Sequence, residues 1–144
     1  LIYRKEEVKK IGEKYNIKAI YNPDAHLGQS AGIKIGVGRA NASDAYMFIM
    51  GDQPFIDSSL IDRLIDEYEK NNSTIVIPYY DGKRGTPTIF SAVYREELSQ
   101  IEGDTGGRDI IEKNDGEVVR VYVDDEKLGF DIDTLDDFQM ALKG

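Results

Sequence analysis

The chain contains no cysteine and no tryptophan, a single histidine and four prolines. Without cysteine, disulfides, iron–sulfur clusters and thiolate zinc sites are excluded for this segment. With His26 alone, no histidine-pair motif such as H-E-x-x-H can be assembled. A metal would therefore be a hard cation on oxygen ligands, with Mg²⁺ the first choice. Basic charge is also scarce: 18 Lys and Arg stand against 27 Asp and Glu, for a net charge of −9. Binding a phosphate backbone needs a basic face, so no nucleic-acid partner is expected. No apolar stretch reaches membrane-spanning length and nothing resembles a signal peptide, so no membrane partner is expected and a cytoplasmic location is the default.

What is present is one domain's worth of chain, 144 residues, with 40% hydrophobic content, enough for a core. The chain opens on Leu1-Ile2-Tyr3, which reads as the tail of a strand, and the expectation is a piece of a longer protein. The organising stretch is Ala45 to Asp57, AYMFIMGDQPFID. Tyr46 to Met50 is a continuous apolar run, predicting a central strand covered on both faces. It stops at Gly51-Asp52-Gln53-Pro54. Asp57 or Ser58 then caps a helix whose apolar positions Leu60, Ile61, Leu64, Ile65 and Tyr68 keep to one side. Asp52 would sit just past the carboxyl end of a buried parallel strand, where open α/β sheets place ligands. It reads equally as a turn residue, since Gly-Asp before Pro is turn chemistry.

The flanking pattern alternates in the same way. Arg4 to Tyr15 reads as a charged helix with Val8 and Ile11 inward and Gly12 weakening its end. Ile17 to Tyr21 reads as a short strand closed by Asn22-Pro23. Ser30 to Arg39 is assigned to a helix although it holds three glycines. Further on, Asn71-Asn72 ends a helix, Thr74 to Pro78 is a buried strand, and Tyr79 to Thr86 a polar loop. Pro87 to Phe90 is extended, Tyr94 to Gln100 a short helix, and Val118 to Val123 an alternating β-branched strand. Thr134 with Asp137 forms a capping-box pattern for a last helix, Leu135 to Leu142. Together these predict an α/β, three-layer, Rossmann-like fold with a mostly parallel sheet, in one domain over residues 1–144.

Polar, glycine-rich loops carry the chemistry. Gly82-Lys83-Arg84-Gly85-Thr86-Pro87 and Gly103-Asp104-Thr105-Gly106-Gly107-Arg108 set arginine beside glycine, which suits an anion: backbone N–H groups approach closely and a guanidinium clamps the oxyanion. Gly51-Asp52-Gln53-Pro54 and Asp131-Ile132-Asp133 carry carboxylates instead. That division suits a phosphorylated ligand handled with Mg²⁺. The plainer readings are that Arg84 and Arg108 are solvated loop cations and that Asp133 merely precedes a helix N-terminus. His26 reads as an exposed loop residue, and the nine tyrosines make no stacking platform.

GDQP after an apolar strand, then GKRGTP, GDTGGR and DIDTLDDF, in this order and spacing, resemble the molybdenum cofactor cytidylyltransferases, a branch of the MobA-like NTP transferase group. Gly28-Gln29-Ser30-Ala31-Gly32-Ile33-Lys34-Ile35-Gly36 is similar to the family's G-x-S-x-S-L-x-x-G helix, with Gly32 where a serine is usual. The family's first strand and its L-A-A-G loop, which wraps the nucleotide triphosphate, have no counterpart in this sequence. Activity of this segment alone is therefore not expected.

The resemblance implies Mg²⁺-dependent transfer of CMP from CTP to a molybdopterin-type substrate, with pyrophosphate released. Asp52 would be the principal metal ligand, with Asp133 or Asp131 the second, Asp133 slightly preferred. Asp52 and Asp133 would be the catalytic carboxylates. Gly28 and Ser30, with Asp52, would lie against the nucleotide. Lys83, Arg84, Gly85, Gly106 and Arg108 would receive the pterin phosphate, and a molybdoenzyme of the xanthine dehydrogenase type would be the eventual recipient. The alternatives are a molybdenum cofactor guanylyltransferase, a sugar-phosphate nucleotidyltransferase, or a non-catalytic cofactor carrier.

Overall fold

A computed structural model describes residues 1–40, 42–71 and 74–143. Along the chain the elements are β1 (Ile2–Tyr3), α1 (Glu6–Lys14), β2 (Ile20–Tyr21), α2 (Gln29–Arg39), β3 (Ala45–Phe48), α3 (Ser58–Lys70) and β4 (Ile75–Tyr80). There follow β5 (Lys83–Arg84), β6 (Thr88–Ser91), α4 (Arg95–Gln100), α5 (Arg108–Lys113), β7 (Val118–Val123) and α6 (Leu135–Ala141). Among the described residues no helix is long and apolar enough to cross a membrane. The predicted end of α3 falls partly on Asn72, which lies outside the described residues; the helix runs to Lys70 with Asn71 as its C-cap.

Two compact units divide the chain: Leu1–Ser43 with Val93–Asn114, and Asp44–Ala92 with Asp115–Gly144. In the first unit β1 and β2 pair in parallel, Ile2 opposite Ile20 and Tyr3 opposite Tyr21, with α1 as the crossover. Gly12 is buried, and a Cβ there would lie 2.9 Å from Leu1 Cδ2 and 3.6 Å from Ala19 Cβ. This glycine therefore lets α1 close on the strand pair rather than simply weakening the helix end. Ile11, expected inward, is 58% exposed, because the side of α1 that meets the strands is the one carrying Gly12. Helix α2 packs against α4 and buries Ser30, Ala31 and Val37.

The second unit is built on β4. It pairs in parallel with β7 along its whole length, from Ile75–Val118 to Tyr80–Val123. It also pairs antiparallel with β6, which in turn pairs antiparallel with β3. So β3, β4 and β7 share a direction, as alternating strands and helices predict, but β6 lies reversed between β3 and β4. Across both units the described pairings are mixed, and the expectation of a mostly parallel sheet is corrected. The reason is local: no helix separates β4 from β6, and a parallel return needs a long crossover.

The Tyr79 to Thr86 segment, expected as a loop, is mostly a hairpin. Tyr79 pairs with Arg84 and Tyr80 with Lys83. Asp81 at φ 46° and Gly82 at φ 72° make the two-residue turn. Asp-Gly is suited to that turn because both central residues need positive φ, and the turn's twist matches the strands.

The core of this unit joins Leu60 and Leu64 of α3 to Val76 and Tyr80 of β4, Ile89 of β6, and Val121 and Val123 of β7. Burying each Leu or Val contributes about 1.5–3 kcal/mol relative to exposure. Helix α3 starts where predicted, with the Leu60 N–H donating to Asp57 Oδ1 at 2.9 Å. Strand β4 is paired on both edges and buried along nearly its whole length, whereas β3 among the described residues pairs only with β6 and leaves Ile49 51% exposed beyond its end. The expectation of a central, doubly covered strand thus belongs to Ile75–Tyr80.

Candidate functional site

In the second unit, the chain leaves β3 and enters the Gly51-Asp52-Gln53-Pro54 turn before α3. The backbone oxygen of Asp52 accepts the Ile132 N–H at 2.9 Å. That one bond brings the Asp131-Ile132-Asp133 segment, which precedes α6, onto the GDQP turn. Asp52 and Asp133 lie close enough to Asp131 for their charges to act on it. The Asp131 carboxyl is pushed up from the ordinary carboxylate range, chiefly by desolvation. The negative charges of Asp52 and Asp133 add to that rise, while a hydrogen bond from the Gln53 side chain opposes it. The backbone N–H of Asp133 donates to Asp137 Oδ2 at 3.2 Å, which ties the main chain there to the start of α6.

Asp52 Oδ1 is buried and has no hydrogen-bond partner among the described residues. A buried carboxylate oxygen left unpaired costs free energy unless a cation or donor joins it. Among the described residues no cluster of three or more His, Cys, Asp or Glu side chains is arranged to hold a metal. The protein does not supply a closed cage, then, but Mg²⁺ needs none: it commonly takes one or two carboxylates and completes its shell with water and substrate phosphates. Asp52 and Asp131 fit that requirement.

Behind the carboxylates lies a chain of hydrogen bonds that the sequence reading missed. Gln53 is buried, 9% exposed, and its Oε1 accepts the Thr86 hydroxyl proton at 2.5 Å. The backbone oxygen of Thr86 accepts the Tyr80 hydroxyl at 2.9 Å. Burial raises the Tyr80 phenol to about 12, with the Asp131 charge adding to the effect, so the hydroxyl stays a donor. The Tyr80 ring is wedged between two glycines, since a Cβ at either Gly85 or Gly129 would run into it. Gly85 N–H donates to Pro78 O at 2.9 Å, closing the loop under the ring. Gly85 thus shapes the loop, while Lys83 and Arg84 stand on exposed β5. The signal available in the sequence was the pairing of Thr86 with Pro87 beside two glycines; nothing local pointed to Gln53 or Gly129.

The remaining expected residues, Gly28, Ser30, Gly106 and Arg108, lie in the first unit. Gly28, at φ 96°, precedes α2 and sits so near the GDTGGR loop that a Cβ would come within 2.8 Å of Gly103 O. The Gln29 N–H donates to Asp104 Oδ1 at 2.9 Å and the Ser30 N–H to Gly103 O at 3.1 Å. An acidic side chain of this chain therefore occupies the α2 N-terminus, where dipole and free N–H groups would otherwise attract an external anion. Ser30 is 3% exposed. Gly106, at φ 56°, abuts Gln29 Oε1, and Arg108 opens α5 with an exposed side chain. The structure thus brings Gly28, Ser30 and Gly106 into one clasp, held by Asp104. A separate cavity of about 360 Å³ in this unit, bordered by Tyr21, Asp24, Lys34 and Arg39, includes none of the expected site residues.

Comparison with known proteins bears on this arrangement. The MobA-like NTP transferase domain matches residues 1–118. No curated protein matches the chain. Among solved structures, a mycobacterial homologue of Mycobacterium tuberculosis rv0371c, from Mycobacterium sp. strain JC1, is 26% identical with a TM-score of 0.72. The match covers 88% of this chain and 62% of that one, so the chain spans under two thirds of that protein's length. Molybdopterin-guanine dinucleotide biosynthesis protein A from Archaeoglobus fulgidus is 22% identical, TM-score 0.67, covering 99% of this chain and 75% of that one. The 4-diphosphocytidyl-2C-methyl-D-erythritol synthase of Anaerococcus prevotii is 21% identical, TM-score 0.74, covering 98% and 75%. The fold is the α/β nucleotidyltransferase fold, and the chain belongs to the MobA-like NTP transferase domain family.

Proposed function

We propose that this chain forms the carboxylate-bearing part of an Mg²⁺-dependent cytidylyltransferase that transfers CMP from CTP to a molybdopterin-type acceptor. The observation that carries this reading is the Ile132–Asp52 junction, which sets Asp131 beside Asp52 and leaves Asp52 Oδ1 buried and unpaired among the described residues. An acceptor phosphate oxygen attacks the α-phosphorus of CTP, the new P–O bond forms in line with the departing oxygen, and pyrophosphate leaves with the bonding electrons. When bound, Mg²⁺ supplies charge neutralisation between two anions that would otherwise repel.

Asp52 and Asp131 are the proposed metal ligands. Asp131 is favoured over Asp133 because the Asp52 charge acts on its partly desolvated carboxyl. No covalent intermediate on the protein is invoked; orientation and charge do the work. Lys83, Arg84 and Gly85 are assigned to the phosphate of the acceptor.

In the complete protein, Asp52→Ala should abolish Mg²⁺-dependent pyrophosphate release while the circular dichroism spectrum stays unchanged; retained turnover removes Asp52 from the mechanism. The Archaeoglobus neighbour, named for molybdopterin-guanine dinucleotide biosynthesis, favours GTP as the rival nucleotide. Parallel assays with CTP and GTP decide between them.

A further inference from the structure

We propose that Tyr79 and Tyr122 form a two-ring platform for the planar heteroaromatic ring of the phosphorylated acceptor, with Arg84 beside it for the phosphate. This rests on the reading of the acceptor as a molybdopterin-type compound and goes beyond it by naming what holds the ring.

Strand register sets the row. Tyr79 of β4 lies opposite Tyr122 of β7 on one side and opposite Arg84 of β5 on the other. Residues directly opposite one another project to the same face of a sheet. Tyr80 and Val123, the next residues along, belong to the core with α3, so by alternation Tyr79 and Tyr122 occupy the other face. Their ring centroids are 5.7 Å apart, with the planes at 51°. Further back on that face Ile75 and Ile77 are buried, whereas Tyr122 is 63% exposed, so the face opens where the rings stand. Packing alone favours a covered ring, because burial is what an aromatic side chain chiefly contributes; a ring left open keeps a π face for a ligand.

The opening lies at the carboxyl ends of β4 and β7, the edge at which parallel strands place ligands. Strand β3 shares their direction and runs out into the GDQP turn on the same edge. The hydrogen bond between the Thr86 and Gln53 side chains, 2.5 Å long, ties the chain leaving β5 to that turn. A heterocycle lying on the tyrosines with its phosphate toward Arg84 meets aromatic carbon with its face and a guanidinium with its charge. In a chain of net charge −9, that guanidinium supplies the complementary sign.

The test is binding of neopterin monophosphate to the complete protein, read from the pterin fluorescence, with unphosphorylated neopterin and CMP as comparison ligands. Tyr122→Ala should raise the Kd for neopterin monophosphate by about tenfold, the scale of losing one aromatic ring beneath a stacked base. Tyr122→Phe, which keeps the ring, should bind as the parent does. Tyr122→Leu, which keeps apolar bulk without a π face, should match the alanine variant and carries the test if that variant does not fold. Arg84→Gln should weaken neopterin monophosphate and leave neopterin unchanged. Parent-like binding of the phosphate by Tyr122→Ala or Tyr122→Leu overturns the proposal and reduces the pair to a cross-strand contact. A parent that does not bind it, or a Tyr122→Ala variant that loses CMP instead, overturns it too. Pyrophosphate release by Asp52→Ala keeps the two readings apart. If Asp52→Ala abolishes release while Tyr122→Ala binds like the parent, only the platform falls; if Asp52→Ala retains release while Tyr122→Ala binds weakly, only the carboxylate mechanism falls.

Discussion

The amide of Ile132 donates to the carbonyl oxygen of Asp52 at 2.9 Å, so a backbone bond, independent of either side chain, joins the two carboxylate segments. Because the link is made by main-chain atoms, substituting the carboxylates need not break it. The two candidate second ligands can therefore be compared on an intact scaffold.

Asp131→Asn and Asp133→Asn should differ. Losing a group that stabilises charge in the transition state typically costs about 10²–10³-fold in turnover. Asp131→Asn should fall in that range in Mg²⁺-dependent pyrophosphate release, and Asp133→Asn should lose less than about tenfold. The reverse ranking would assign the second metal contact to Asp133.

Gly129→Ala should destabilise the protein by about 1–3 kcal/mol, the usual cost of forcing extra volume into a packed site. The added methyl would run into the Tyr80 ring. Urea unfolding measures the loss, and pairing it with Tyr80→Ala should make the glycine substitution nearly neutral. Equal losses from Gly129→Ala in both backgrounds would show that the ring is not the obstacle.

Asp104→Ala should loosen the clasp between α2 and the GDTGGR loop, because the Gln29 N–H loses its acceptor. The expected cost is about 0.5–2 kcal/mol, as for other helix N-terminal acceptors. Asp104→Asn, which keeps an oxygen acceptor, should recover most of it. Hydrogen exchange at Gln29 and Ser30 reports the change locally.

Stability should fall on acidification through the two capping carboxylates. The hydrogen bonds from Thr134, side chain first and then backbone, hold Asp137 below the ordinary carboxylate range. The Leu60 N–H does the same for Asp57, helped by the Ser59 hydroxyl. A folded-state pKa below the unfolded one means that the folded state binds protons less readily. The stabilisation is therefore fully present above the ordinary carboxylate pKa and is lost as pH falls through the depressed value. Thermal unfolding between neutral pH and pH 3 should show a smaller acid-induced drop in Tm for Asp137→Asn than for the parent. Thr134→Ala should cost about 1 kcal/mol at neutral pH.

Local chemistry was enough to place much of this molecule. The Asp57 cap, the Thr134–Asp137 capping box and the extent of Val118–Val123 all follow from short-range preferences, and each is found where expected. These features depend on side chains reaching backbone groups a few residues away, or on a periodicity that a single strand or helix carries within itself.

Tertiary structure decided what depends on partners distant in the chain. Whether β6 runs with or against β4, which strand is covered on both sides, and that Tyr80 must meet glycine at both 85 and 129 are properties of packing. The amide of Gln53 could have turned outward into water; only the arrival of Thr86 gives its oxygen a partner inside the fold. The sequence alone determined which residues could bear the chemistry, because residue type sets charge and hydrogen-bonding capacity. Which of them face one another was settled by strand pairing and burial, because those are contests among all segments of the chain at once.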